Sequence, residues 1–178
     1  MILALAGRRI DASDASVARF PAANIQQVSK AVQALLKEKK VATLVSSAAC
    51  GADLISLAEA GKSNLRRRVI LPFDRQRFRK KSVIDRPGDW GELYDCILDD
   101  VSAKGDLVIM DNAGGAEPFI AASHEVLNEA IRIGHEAGAT VGAAIIWDGT
   151  ERGAPDYTAE FANEARRRGL EIFEIRTL

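Results

Sequence analysis

Little in this chain points to metal, disulfide or membrane chemistry. Its 178 residues hold two cysteines and two histidines. Cys50 and Cys96 show no metal spacing, and two cysteines do not make a disulfide framework; the expectation is a reduced, cytoplasmic protein with no metal. His124-Glu125-Val126-Leu127-Asn128 resembles the start of a zinc helix motif but has no histidine four residues after His124. His135 comes eleven residues later on the same expected helix, about 16 Å along its axis and too far to share an ion. The apolar opening run, 1–6, meets Gly7-Arg8-Arg9 at once. It is too short for a signal h-region or a membrane span. A net charge of −1 counts against nucleic acid as the partner, since such proteins usually carry a basic excess. There is no Walker Gly-Lys-Ser/Thr, no Gly-x-Gly-x-x-Gly and no Gly-x-Ser-x-Gly. That removes P-loop ATP hydrolysis, the dinucleotide fingerprint and the nucleophile elbow. No cofactor is expected.

What is present fits one soluble domain with a sizeable core: 47% hydrophobic and 28% charged residues. Apolar strand-like runs recur at 2–6, 41–45, 69–71, 107–110, 141–147 and 172–175. Between them lie helical patterns at 24–39, 52–60, 90–103, 118–137 and 156–168, the last two ending at Gly138 and Gly169. The alternation predicts a Rossmann-like, doubly wound α/β domain. Its mainly parallel sheet would have five or six strands, with helices on both faces.

Charge is uneven along the chain. Residues 62–86 hold ten Lys/Arg against two acids, Asp74 and Asp85. Either this is solvated surface partnered by neighbouring acids, with Glu92, Asp95, Asp99 and Asp100 as candidates, or it is a basic rim that steers an anionic ligand.

In doubly wound folds the ligand sits outside the carboxyl ends of the strands, which selects the candidate residues. After the first strand, Gly7 permits a close approach. Arg8 or Arg9 could clamp a phosphate, or could pair with Asp11 or Asp14. After the second comes the most informative stretch, Ser46-Ser47-Ala48-Ala49-Cys50-Gly51-Ala52-Asp53. It reads as a small-residue turn into a helix, whose free amides and dipole favour an anion. Ser46 and Ser47 could bind phosphate or cap the helix. Asp53 would repel a phosphate, so it suits the helix start or a ribose hydroxyl. Cys50 is either a thiol activated by the helix dipole or a small buried side chain. Pro72-Phe73-Asp74 follows the third strand, and Asp111 with Gly114-Gly115 the fourth. Trp147-Asp148-Gly149 follows the fifth, its indole stacking on a base or closing the core.

These residues resemble a known group. Gly7-Arg8-Arg9-Ile10-Asp11, Phe20-Pro21, the turn 46–53, Leu71-Pro72-Phe73, Phe78, Ser82-Val83, Trp90 and Trp147-Asp148-Gly149 occur in the order found in bacterial SLOG-type Rossmann domains. These are relatives of the lonely-guy phosphoribohydrolases and of the DNA-processing protein A fold. The resemblance spans Gly7 to about Leu170 and implies a phosphate-binding loop and a nucleotide or nucleotide-derived ligand, bound or sensed. The alternative it implies is a hydrolase cleaving the N-glycosidic bond of a nucleoside monophosphate. Two departures stand out. Gly7-Arg8-Arg9 replaces the usual Gly-His-Arg. With Gly114-Gly115 aligned to the lonely-guy Pro-Gly-Gly-x-Gly-Thr-x-x-Glu signature, Ala121 occupies the glutamate position. Asp111, Glu117 and Glu125 remain as candidate catalytic carboxylates. An apolar helix face left over after sheet packing could support a homo-oligomer.

Overall fold

A computed structural model describes residues 1–110, 117–153 and 155–178; Asp111, Gly114 and Gly115 lie outside them. The strands are β1 (Ile2–Gly7), β2 (Thr43–Ser46), β3 (Arg66–Leu71), β4 (Leu107–Ile109), β5 (Val141–Trp147) and β6 (Glu171–Arg176). The helices are α1 (Ile25–Glu38), α2 (Ala52–Lys62), α3 (Arg75–Ser82), α4 (Trp90–Ala103), α5 (Pro118–Ala137) and α6 (Tyr157–Arg167). The six strands form one sheet in the order β4-β3-β2-β1-β5-β6, and all neighbours are parallel. The fold is thus Rossmann-like and doubly wound.

The strand period of two splits the sheet's side chains between two cores. Leu3 and Leu5 of β1 join α1, α2 and α4, through Val28, Val32, Leu54, Leu57 and Leu98, on one face. Ile2 and Ala4 join α5 and α6, through Val126, Leu127, Ile133, Phe161 and Ala162, on the other. The chain builds outward from β1 to β4, then returns through α5 to place β5 on the far side of β1. The order therefore reverses between β1 and β5, where Leu5 pairs with Ala144 and Gly7 with Ile146. Helices α5 and α6 stop at glycines in the left-handed region, Gly138 (φ 58°) and Gly169 (φ 72°), as their sequence signals predict. None of the described helices is long and apolar enough to cross a membrane.

Two elements depart from expectation. Strand β3 begins at Arg66, three residues before the apolar run, because Arg66, Arg67 and Arg68 pair in register with Thr43, Leu44 and Val45. Their charges are met by Asp106, Asp100 and Glu129. Helix α3 carries almost no apolar period, burying only Phe78 and Ser82. Its start is set by Asp74, which accepts the Arg77 amide at 2.9 Å. Most of the basic run is therefore structural. Arg75 and Arg79 reach Asp95 and Asp99 of α4, while Arg77 lies over the Phe73 ring.

Gly7 shows how tightly the strand ends are packed. A Cβ there would stand 2.4 Å from the Ala52 Cβ and 2.6 Å from the Ile146 carbonyl oxygen. Its lack of a side chain lets β1, α2 and β5 meet. Gly7→Ala is expected to destabilise the fold by about 3 kcal/mol, an overpacking cost against backbone that cannot yield. Urea denaturation checks it.

Candidate functional site

The crevice at the β1/β5 reversal holds a cavity of about 440 Å³ at the carboxyl ends of β1 and β2. That volume is in the range of small-molecule sites. Its walls come from segments far apart in sequence. Leu5 and Gly7 end β1, and Ser47 and Asp53 flank the turn into α2. Phe78 and Lys81 come from α3, Phe119 and Ser123 from the first turns of α5, and Tyr157 and Phe161 from α6. The aromatic wall is continuous with a ladder of rings. Tyr157 lies 5.3 Å from Phe119, Phe119 lies 5.6 Å edge-on to Phe73, and Phe73 lies 6.0 Å from Phe78. Such contacts fix the rings' orientation as well as burying area. Three basic side chains, Arg9, Lys81 and Arg152, also line the cavity. Lys81 and Arg152 make no side-chain hydrogen bond or ion pair among the described residues, whereas Arg9 pairs with Asp85.

Beside the cavity, Arg8 is committed to the protein. Only 2% exposed, it donates from Nε to Asp148 at 2.9 Å and from both terminal nitrogens to Asp156 at 2.5 and 2.9 Å. It also reaches the Thr150 carbonyl at 2.6 Å. Neither Asp11 nor Asp14 is its partner. Asp11 instead accepts the backbone amides of Arg19 and Phe20. Asp156 caps α6 through the Thr158 and Ala159 amides, and Asp148 also binds Arg19. Burial pushes both carboxyls up. Hydrogen bonds from Thr150 and Arg8 to Asp148, and from Arg8 and the Arg152 and Ala159 amides to Asp156, more than offset it. Both groups are held below the ordinary range.

The turn 46–53 is built inward. The Ala49 amide donates to Asp53, Cys50 to the Ser82 carbonyl, Ala52 to Arg8 and Leu54 to Ala49. The amides of Ala49, Cys50, Ala52 and Leu54 are thus spent on protein acceptors. Gly51 (φ 95°) is required because a Cβ would meet the Ile10 nitrogen at 2.7 Å and the Arg8 oxygen at 2.8 Å; it accommodates the neighbouring chain. Cys50 is fully buried, and burial pushes its thiol up, the reverse of an activated nucleophile. Ser46 is buried, and its hydroxyl has no hydrogen-bond partner among the described residues. Pro72 and Phe73 are buried, Phe73 backing the rings that line the cavity. Trp147 closes the second core, its indole N–H donating to Glu174 at 3.2 Å. Gly149 (φ 86°) leaves room for the Arg176 guanidinium.

Of the sequence-selected residues, Gly7, Arg9, Ser47 and Asp53 line the cavity. Asp53 is its most unusual member: 7% exposed, with no hydrogen-bond partner at Oδ1 among the described residues, and raised by burial to about 7 against the opposing pull of the Ala49 and Gly7 amides. Glu117 stands just before α5 in a left-handed conformation (φ 67°) and accepts the Tyr157 hydroxyl at 3.1 Å. Glu125 bonds Asn128 outside the cavity. Sequence reasoning missed the wall itself, Phe119, Tyr157 and Phe161, because it stopped at the strand ends. Extending the search one helical turn further finds the first two.

Removing Arg8 takes from two buried carboxylates the cation they share, leaving Asp148 with Arg19 and Asp156 with backbone amides alone. Arg8→Ala is expected to cost about 3–5 kcal/mol at neutral pH. In the wild type this contribution is present above the unfolded carboxylate value of 3.8 and is lost as pH falls through the lower folded values. Urea midpoints between about pH 2 and 7 should show that acid-sensitive portion in the wild type and its absence in the variant. No protein-family model matches this chain, and a search of the curated proteins finds no match.

Proposed function

We propose that this chain is a SLOG-type domain whose cavity binds a nucleotide or nucleotide-derived small molecule as a binder or sensor. The observation that carries the reading is the convergence of an aromatic wall with three basic side chains in one cavity at the sheet's reversal. Phe119 and Tyr157 offer ring faces to a base. Arg9, Lys81 and Arg152 attract the anionic end, and Lys81 and Arg152 are free, among the described residues, to bind it. Ser47, Ser123 and Thr158 add hydroxyls for the sugar or base edge. In this reading the basic side chains, rather than the amides of the turn 46–53, take the anion. The hydrolytic alternative draws less support: neither Glu117 nor Glu125 lines the cavity, and Asp111 lies outside the described residues.

Thermal shifts against nucleotides, cyclic nucleotides, ADP-ribose derivatives and nucleotide sugars test the reading. A ligand at about 100 times its Kd stabilises the fold by about 2.7 kcal/mol. Lys81→Ala and Arg152→Ala should each weaken the hit about tenfold, as for loss of one charge-assisted hydrogen bond. Lys80→Ala, on the same helix but outside the cavity, should not. A panel with no hit, or a hit indifferent to both substitutions, sinks the reading.

A further inference from the structure

Charge at the basic edge of the cavity does not balance. Arg8 and Arg19 face two carboxylates, Asp148 and Asp156, and that group is neutral as a whole. Asp85, in the segment 83–89 between α3 and α4, is instead shared by two guanidinium groups. A terminal nitrogen of Arg9 bonds its Oδ1, and the Arg86 Nε lies 3.9 Å from its Oδ2. Arg86 makes no hydrogen bond and no other ion pair among the described residues. Arg9 and Arg86 both reach solvent, 29% and 27% exposed, so a ligand can meet them. The lining holds three cations, Arg9, Lys81 and Arg152, and one acid, Asp53; Asp85 and Arg86 beside it add one charge of each sign. Two positive charges are left over even with Asp53 ionised.

The cations form a chain of neighbours. Arg152 bears on Tyr157, whose hydroxyl is raised by burial and by Glu117. Arg152 is itself held below its ordinary value, first by loss of water and then by Arg8, Arg19 and Arg86, against Asp156. Arg86 and Arg9 meet at Asp85, and both pull the Cys50 thiol down against the larger effect of burial. Crowding like charges costs free energy that a bound anion recovers. The chain leads from the aromatic wall towards α3. A base on Phe119 and Tyr157 thus sends its phosphates first past Arg152, then to Arg86 and Arg9.

We propose that Arg9 and Arg86 form a second anion subsite beyond Lys81 and Arg152, and that the ligand is a nucleotide with two consecutive phosphates. The proposal rests on the nucleotide reading and narrows it to a nucleoside diphosphate or an ester of one. A monophosphate would use Lys81 and Arg152 and leave Arg9 and Arg86 contending for Asp85. A diphosphate supplies oxygens to both sets of donors. The terminal N–H groups of Arg86 are unspent among the described residues, and a planar guanidinium fork matches phosphate geometry.

Calorimetric titration with the mono- and diphosphates of adenosine, guanosine and uridine tests this, in buffer free of divalent cations that would mask the phosphates. For the base that binds, the diphosphate should bind about tenfold more tightly than the monophosphate, as for one added charge-assisted contact. Arg86→Gln should abolish that preference, and Asp85→Asn, which removes the competing carboxylate, should enlarge it. Opposite effects from two neighbouring residues would not follow from a shared structural role. The nucleotide sugar with the same base separates the two forms of the ligand. Tighter binding than the free diphosphate supports an ester, and weaker binding supports a terminal phosphate at Arg86. Equal affinity for mono- and diphosphate, or a preference that Arg86→Gln leaves intact, overturns the second subsite and leaves the nucleotide reading standing. Failure of every nucleotide to bind overturns that reading and the subsite with it.

Discussion

The buried Arg8 guanidinium, held between Asp148 and Asp156, is the constraint on which the site depends. It fastens the end of β1 to the segment that follows β5. Because Asp156 is also the cap of α6, the same cation fixes where that helix begins. Tyr157, Thr158 and Phe161 follow directly from that start and supply one wall of the cavity. Burying such a cluster brings little net stability compared with well-packed apolar side chains. What it brings here is position, since a planar donor fork accepts its two carboxylates in only a narrow range of geometries.

The arginines of this chain thus fall into two populations. Arg8, Arg66, Arg67, Arg68 and Arg75 are spent on acids, and each fixes one element against another. Arg152, with Lys81, is left without such a partner among the described residues and faces the cavity. A single count of basic residues merges the two populations. The dense run at 62–86 is mainly scaffold, while one of the cavity's cations, Arg152, comes from a stretch with no cluster of basic residues.

Much of the fold was legible because its periodicities are clean. The strand at 141–147 and the helices at 90–103 and 118–137 match the observed bounds residue for residue. Helix α3 was not legible, since one phenylalanine and a capping aspartate leave no amphipathic stripe. The position of the cavity followed from topology, and Gly7, Arg9, Ser47 and Asp53, which line it, were picked out that way. The roles of Arg8, Gly51 and Trp147 did not follow. A glycine that admits a ligand and one that admits the neighbouring backbone read alike in sequence. So do an arginine that binds phosphate and one matched to aspartates 140 and 148 residues away. Such partners become visible only once the crossover has brought them together.

The two-sided packing also has a temporal side. Everything needed to cover one face of β1, β2 and β3 lies in the first 103 residues, with α1, α2 and α4. The opposite face, with Ile2, Ala4, Val45 and Ile70, waits for α5 and α6. A chain emerging from the ribosome therefore passes through a stage in which a half-clad sheet shows water an apolar surface, with β1 still an open edge where β5 will later pair. Such a surface invites association with other chains. The speed with which the last third of the polypeptide arrives, as much as the final packing, governs how much of it reaches the folded state.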